Sequence, residues 1–539
     1  MSGEELIPIG IDLGSLHARV AIGNVSHQNV PSKGNTEDTR PLPNVISNAQ
    51  GSRYTLALVG SDKMSGEEDN NSVAVRHIFG EAARRALARE KKPTISKDPS
   101  SMVRELVKSS SSVDGGDDNK SSAAAAFFGH LAELACDASS SHPSKLRAVV
   151  SVNVGSSPEE QAGVVETIEA GVSEALKSRS DVKQKKKDVE PIVVGVITDP
   201  SAVCIAHGLT EVENSDAIDL AASNPDSWTN ALVVDWGASG LTATHVRRAS
   251  PNSTLLTIVK HATDNSCSGA AIVNTLVSHC ASMFERKNRL SGLLDSVKAH
   301  HRLEIACESA VRALSRAPTT AVSIDGLYEG IDLNVPVSRP RFDMMASGLL
   351  KKAETLLQSF SEGSDKFDVV LMAGNVCDMP SATNLIRTKL FPDASAGRGD
   401  VPADEAVAIG CARHAASVLS CQTHSRSGGK SADKAVGAST RKVKACPVNI
   451  GIAESGDEEN AVPLIEVGQA LPANTTRNFT YNSGEEIVIV QMNGGAAKSS
   501  KVLGKIEKLP ADKSFEITME LSAVGKLSLS VNGGPMSTL

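Results

Sequence analysis

Apolar and polar positions alternate through IGIDLGSLHARVAIG, residues 9–23. Ile9, Ile11 and Leu13 share one face, and Ala18, Val20 and Ile22 repeat the alternation after a break at Gly14. That period of two predicts a hairpin of two half-buried strands, with Gly14 at the turn. An acid, Asp12, sits at the end of the first strand. Residues 231–246, ALVVDWGASGLTATHV, repeat the arrangement with Asp235, Gly237 and Gly240. Two acidic hairpins of this kind are suited to gripping one ligand from two sides.

Between and after the hairpins, apolar runs alternate with helical spacing. LRAVVSV (146–152) reads as a strand, and 157–176 opens with Ser-Pro-Glu-Glu and continues as a helix. Residues 191–209 read as strand, turn and helix, 368–376 as a buried strand, and 402–419 as a helix packed through small residues. This is an α/β pattern. The polar stretches 109–126 and 177–191 read as solvated insertions, with Lys183, Lys185, Lys186 and Lys187 in a solvated loop. Residues 421–445 read as a flexible linker. Beyond them the texture becomes short alternating strands, an all-β module over 446–539. The expected organisation is therefore an α/β domain over 1–420, the linker, and the β module, with no long helix after it.

Composition narrows the function. A chain of 539 residues exceeds one ordinary domain. Its net charge of -8 speaks against binding nucleic acid through overall charge, and 3% aromatic residues give few stacking platforms for bases. Nine cysteines are scattered singly, without a CxxC pair, so neither a disulfide framework nor a zinc site is expected. The N-terminus lacks an apolar signal core and no stretch of about 20 apolar residues occurs, so a cytoplasmic chain without membrane contact is expected.

The chemistry follows from the hairpins. No GxxxxGK[ST] motif occurs, so a P-loop is excluded as the phosphate site. Turn amides can bind phosphate oxygens, and strand-end carboxylates can hold Mg²⁺ through its waters. An Asp at a strand end is also an ordinary turn former; order along the chain gives it weight. Hairpin 9–23, ITDPSAVCIAHGL (197–209), hairpin 231–246, IACESAVRALS (305–315), and LMAGNV with DEAVAIG follow the order of an actin-like two-lobed ATPase.

With these pieces, and above all GLYEGIDLNVPVSRPRF (326–342), the chain resembles the 70-kDa heat-shock protein family over nearly its full length. The resemblance implies an ATP/ADP and Mg²⁺ site. Asp12, Gly14, Ser15 and Leu16 fall at its first phosphate hairpin, and Asp235, Gly237, Ala238 and Ser239 at its second. Glu308, Arg312 and Ser315 fall at the adenosine contacts: an acid for the ribose, a guanidinium plane for adenine, a hydroxyl for the base edge. Spacing alone makes Glu308 and Arg312 an exposed i,i+4 ion pair. Gly374 closes the adenosine side and Asp404 the metal side, with Asp12 and Asp235 as the metal-side acids. The β module resembles the family's peptide-holding β-sandwich.

Departures from the family pattern concern catalysis. Arg84 stands where the resemblance implies a lysine, and Asp199 where it implies a glutamate; these are the candidate catalytic residues. Arginine presents a wide planar fork in place of a compact ammonium. Leu16 replaces a hydroxyl, Ala238 and Ser239 replace glycines, and Gly240 and Thr242 replace a hydroxyl and an acid. Weak or absent ATP hydrolysis is expected. The resemblance is then to the ribosome-associated type of the family. It implies a stable J-domain partner and, indirectly, the ribosome and a second heat-shock ATPase acting on nascent peptides. An autonomous ATP-driven peptide chaperone is the alternative, and a small-molecule kinase on the same core a third. His17 is expected as an exposed turn residue, Trp236 as core.

Overall fold

The computed structural model describes residues 6–23, 42–63, 75–87, 118–156, 158–178, 192–209, 218–219, 229–248, 256–361, 366–426, 446, 449–455, 461–465, 473–480, 486–492, 501–506, 514–521 and 527–538. The lysines at 183–187 and the basic residues Arg441, Lys442 and Lys444 lie outside them.

Both predicted hairpins form. Ile7–Leu13 pairs antiparallel with His17–Ile22, and Asn230–Trp236 with Leu241–Arg248. Each hairpin's first strand also pairs parallel with a strand from later in the chain: Ile7–Leu13 with Leu146–Val152, and Asn230–Trp236 with Val369–Ala373. Val193–Thr198 extends the first sheet in parallel, and Leu256–Asp264 extends the second antiparallel. Two sheets thus share one plan, an antiparallel hairpin whose first strand is flanked by a parallel neighbour. Parallel strands need crossover helices to cover them. Here Asp118–Ser139 and Pro158–Ser178 cover the first sheet, and Gly269–Asn288, Val297–Arg316 and Arg339–Ser361 share the core of the second.

Helix Ala406–Arg426 lies between the sheets. Its Ala408, Ala412 and Ala415 join Val149 and Val194 from one sheet and Val233, Val369 and Leu371 from the other in one buried cluster. Small residues allow the approach. A Cβ on Gly10 would lie 2.2 Å from the Ala412 nitrogen, and one on Gly410 would lie 1.8 Å from the Ala202 carbonyl oxygen. The expected packing through small residues is observed.

Two boundaries differ from the sequence reading. Residues 118–126 are not a solvated insertion but the first turns of helix Asp118–Ser139, with Ala123, Ala124 and Ala125 buried. Alanine is the strongest helix former, and its small side chain lets the next helix close in. There, a Cβ on Gly171 would lie 2.0 Å from the Ala125 carbonyl oxygen. Residues 421–426, expected in the linker, continue helix Ala406–Arg426, and no glycine or proline interrupts the chain before Gly428.

Strands from Asn449–Glu454 onward form two sheets. One runs Val462–Ile465, Asn449–Glu454, Ile487–Met492, Lys501–Ile506; the other contains Ala473–Thr480, Ser514–Leu521 and Leu527–Val531. Ile452, Ile487 and Ile489 from the first meet Phe479, Phe515, Ile517 and Met519 from the second in a common core. Ile218–Asp219 adds a short parallel partner to Ala473–Thr480. No helix among the described residues is long and apolar enough to cross a membrane.

Candidate functional site

The strand ends bring the carboxylates together. Asp12 and Asp235 occupy matching positions on the two hairpins, and Asp199 opens helix Asp199–Ala206 directly after strand Val193–Thr198. Burial pushes the Asp12 carboxyl up to about 7; Arg19 opposes the rise, and Asp235 and Asp404 add to it. Burial also raises Asp235 to about 6, again against Arg19. Asp199 is driven well above the usual carboxylate range by burial and by Asp235 and Asp12, while a hydrogen bond with Ser151 works the other way. Carboxylates that raise one another share one site.

Arg19 is the residue that sequence reasoning missed here. In the hairpin register it lies directly opposite Asp12, so the two project from the same face. Its side chain is buried, its Nη2 donates to Asp404 Oδ2 at 2.9 Å, and its Nη1 lies 3.9 Å from Asp12 Oδ2. The alternation Ala18, Val20, Ile22 puts Arg19 on the other face. That this face is also buried depends on Asp404, far along the chain.

The turns are tightly built. A Cβ on Gly14 would lie 2.6 Å from the His17 carbonyl oxygen. Ser15 and Leu16 follow, both partly buried, and the Leu16 carbonyl accepts the Ala57 N–H at 2.9 Å. In the second turn the Gly237 N–H donates to the Gly240 carbonyl at 3.0 Å. The Gly237 and Ala238 carbonyls accept the Gly269 and Ala270 N–H groups at 2.9 and 3.1 Å, which seats the start of helix Gly269–Asn288 on this turn. Ser239 is exposed beside it. Gly374 packs against the same hairpin at φ +84°: a Cβ there would lie 2.4 Å from the Trp236 carbonyl oxygen and 2.9 Å from Asp235 Oδ1. Only glycine fits. Trp236 is core, as expected, its Nε1 donating to the Cys267 carbonyl at 2.7 Å.

Glu308, Arg312 and Ser315 lie on helix Val297–Arg316. Glu308 is the centre of a network. Arg312 Nη2 lies 2.9 Å from its Oε1, Arg84 from helix Gly80–Leu87 pairs with its Oε2, and His17 Nε2 lies 3.6 Å from Oε1. Arg312 also donates to His17 Nε2 at 2.7 Å and lies over the Tyr54 ring, 4.7 Å from its centroid. Burial pushes Glu308 up, but the adjacent His17 and the charges of Arg84 and Arg312 outweigh it and hold the carboxyl at about 2. The i,i+4 pair is real, with Glu308 mostly buried and shared between lobes and Arg312 half-buried. Ser315 stands apart: its hydroxyl donates to the Val311 carbonyl at 3.4 Å.

One placement corrects the expectations. His17 is not an exposed turn residue: it is buried, edge-on to Tyr54 at 4.3 Å, and burial, with Arg312 and Arg19 nearby, lowers it to about 4 although Glu308 pulls the other way. Arg84, a candidate catalytic residue, is paired with Glu308. Asp199, the other candidate catalytic residue, is with Asp12 and Asp235.

A divalent cation prefers carboxylate oxygens, which Asp12 and Asp235 offer. Among the described residues, however, no three His, Cys, Asp or Glu side chains are placed to hold a metal ion, and the Arg19 guanidinium already bridges Asp12 and Asp404. The residues present do not fit a directly ligated metal.

Residues 186–431 match the Hsp70 protein family. Among relatives, the chain is 29% identical over 355 residues to the Heat shock 70-related protein 5 of Dictyostelium discoideum, covering 63% of this chain and 66% of that protein. It is 27% identical to a Heat shock 70 kDa protein of Penicillium citrinum over 63% of this chain and 64% of the relative. To a Heat shock 70 kDa protein of Ajellomyces capsulatus it is 25% identical over 97% of this chain and 69% of the relative. The match to the first two therefore spans just under two thirds of their length. The matched Hsp70 region includes Asp199, Asp235, Glu308, Arg312, Gly374 and Asp404.

Proposed function

We propose that this chain is an Hsp70-type chaperone subunit that holds ATP or ADP in the cleft between its two sheets and hydrolyses it slowly or not at all. One observation carries the reading: Asp12 and Asp235, from hairpins far apart in sequence, meet in one buried group, and Glu308 and Arg312 stand ready at another part of the same cleft. In this reading Glu308 serves the ribose hydroxyls and the Arg312 plane the base, whereas Ser315, turned to the Val311 carbonyl, would have to reorient to reach the base edge. Gly374, where no Cβ fits, lets its backbone pack directly against the Asp235 strand end.

Weak turnover is supported by what the cleft residues are doing. Phosphoryl transfer to water needs a positioned water and positive charge on the developing phosphate oxygens. Arg84 is occupied by Glu308, which draws its charge away from the acids. Arg19 already engages Asp12 and Asp404, which leaves these acids less free to hold a hydrated cation. In its finer form the reading is a cytoplasmic subunit of the ribosome-associated type, stably joined to a J-domain protein and helping a second heat-shock ATPase on nascent chains. The strands at 449–531 support a docking role. Lys501–Ile506 pairs on one side only among the described residues, leaving an edge suited to an extended partner segment.

Equilibrium dialysis with ATP and ADP, a single-turnover hydrolysis assay, and affinity purification of the full chain test this reading. Nucleotide retention with little hydrolysis, and co-purification of a J-domain protein with ribosomal proteins, are the expected results. Failure to retain either nucleotide rejects the reading.

A further inference from the structure

Arg19 sits in the acidic part of the cleft with one donor unused. Its Nη2 serves Asp404 and its Nη1 faces Asp12, while its Nε is buried without a hydrogen-bond partner. A guanidinium with an orphaned donor at 6% exposure is held at a cost unless something accepts from it. Hairpin register puts the guanidinium there. Arg19 is opposite Asp12, whereas the equivalent position opposite Asp235 is Thr242, which is uncharged. One fixed positive charge therefore stands among Asp12, Asp235 and Asp404, where a hydrated divalent cation would otherwise offset the acids.

We propose that Arg19 is a phosphate-binding residue whose guanidinium takes over the charge-offsetting role of a metal, so that this cleft holds a nucleoside polyphosphate without requiring Mg²⁺. The inference rests on the nucleotide-binding reading above. Arginine suits this role because it is always charged and its donors form a rigid fork; two can engage carboxylates while a third reaches a phosphate oxygen. A side chain fixed in a strand cannot travel with the phosphates as a free ion does. Binding without a metal and slow turnover then have one cause.

The test is the affinity of the purified full-length chain, freed of nucleotide, for a fluorescent ADP analogue in excess EDTA and in excess MgCl₂. The wild-type dissociation constant is expected to change by less than about threefold between the two media; a larger loss on chelation overturns the proposal. Arg19→Gln is expected to lose about tenfold in EDTA, the equivalent of one charge-assisted hydrogen bond, and to regain most of it in Mg²⁺. A variant that binds in EDTA within about threefold of wild type overturns the proposal as well. Trp236 fluorescence reports whether Arg19→Gln folds, and if it does not, the wild-type comparison decides alone. No binding in either medium removes the nucleotide reading itself. Binding that needs Mg²⁺ in the wild type removes only the role given to Arg19.

Discussion

Arg84 and Glu308 form an ion pair that joins short helix Gly80–Leu87 to helix Val297–Arg316 across the cleft. Both side chains are mostly buried, at 16% and 12% exposure, so the pair is less screened than a surface bridge. Arg84→Ala is expected to destabilise the nucleotide-free chain by about 1–3 kcal/mol and to raise amide exchange along helix Val297–Arg316. Glu308→Ala removes the shared partner of Arg84, Arg312 and His17 and is expected to cost more. Thermal melts that do not separate the two variants from wild type would remove the network's role in closing the cleft.

Acidity acts on this chain in two directions. A carboxyl raised on folding contributes stability that is full below the ordinary value of 3.8 and disappears as pH rises through the folded value, about 7 for Asp12 and about 6 for Asp235. His17, His207 and His414 are lowered to about 4, so their contribution is full above 6.5 and lost as pH falls toward 4. Between pH 6 and 8 the histidines are neutral in the folded chain but still lose protons in the unfolded one, so their gain opposes the carboxyls' loss. The Asp12 part is isolated by a variant: Asp12→Asn is expected to gain about 1 kcal/mol relative to wild type between pH 6 and 8, as the wild-type carboxyl ionises. A stability difference between the two proteins that stays constant over this interval contradicts the assignment.

Gly374→Ala places a methyl group 2.4 Å from the Trp236 carbonyl oxygen, at a backbone angle that disfavours any Cβ. The expected loss is about 1–3 kcal/mol, accompanied by a change in Trp236 emission because the second hairpin must shift. Nucleotide affinity should fall with it. A wild-type melting curve would mean that the Asp235 strand end has more room than this packing allows.

Phe479→Ala tests the last module. Phe479 is fully buried, its ring centroid lies 5.8 Å from that of Phe515, and it joins the core shared by both sheets. A loss of about 3–5 kcal/mol is expected. Proteolysis should then cut first within 446–539, with nucleotide binding retained. Loss of nucleotide binding instead would show that this module supports the cleft.

Much of the architecture is legible in the sequence because its periods are simple. Strand alternation locates both hairpins, and the acids at their ends point to one site. Partner choice is not legible. Arg19 and His17 owe their burial to Asp404, Tyr54 and Arg312, all distant in sequence, and no local pattern reports such closure. At 123–126 the low complexity of the alanine tract conceals a sequence well suited to close helix packing. Arg84 shows a different limit. Its position is found from the neighbouring residues, while its partner is set by the opposite side of the cleft.

Helix Ala406–Arg426 crosses the first sheet at Gly10 and helix Asp199–Ala206 at Gly410, and its alanines join both sheets in one buried cluster, so no side chain stands in either crossing. A joint of this kind has no slack and few long side chains to rearrange. Swinging about the helix axis is then the easiest way for the halves to move, and pulling them apart is the hardest. Whatever enters between them is sensed as an angle.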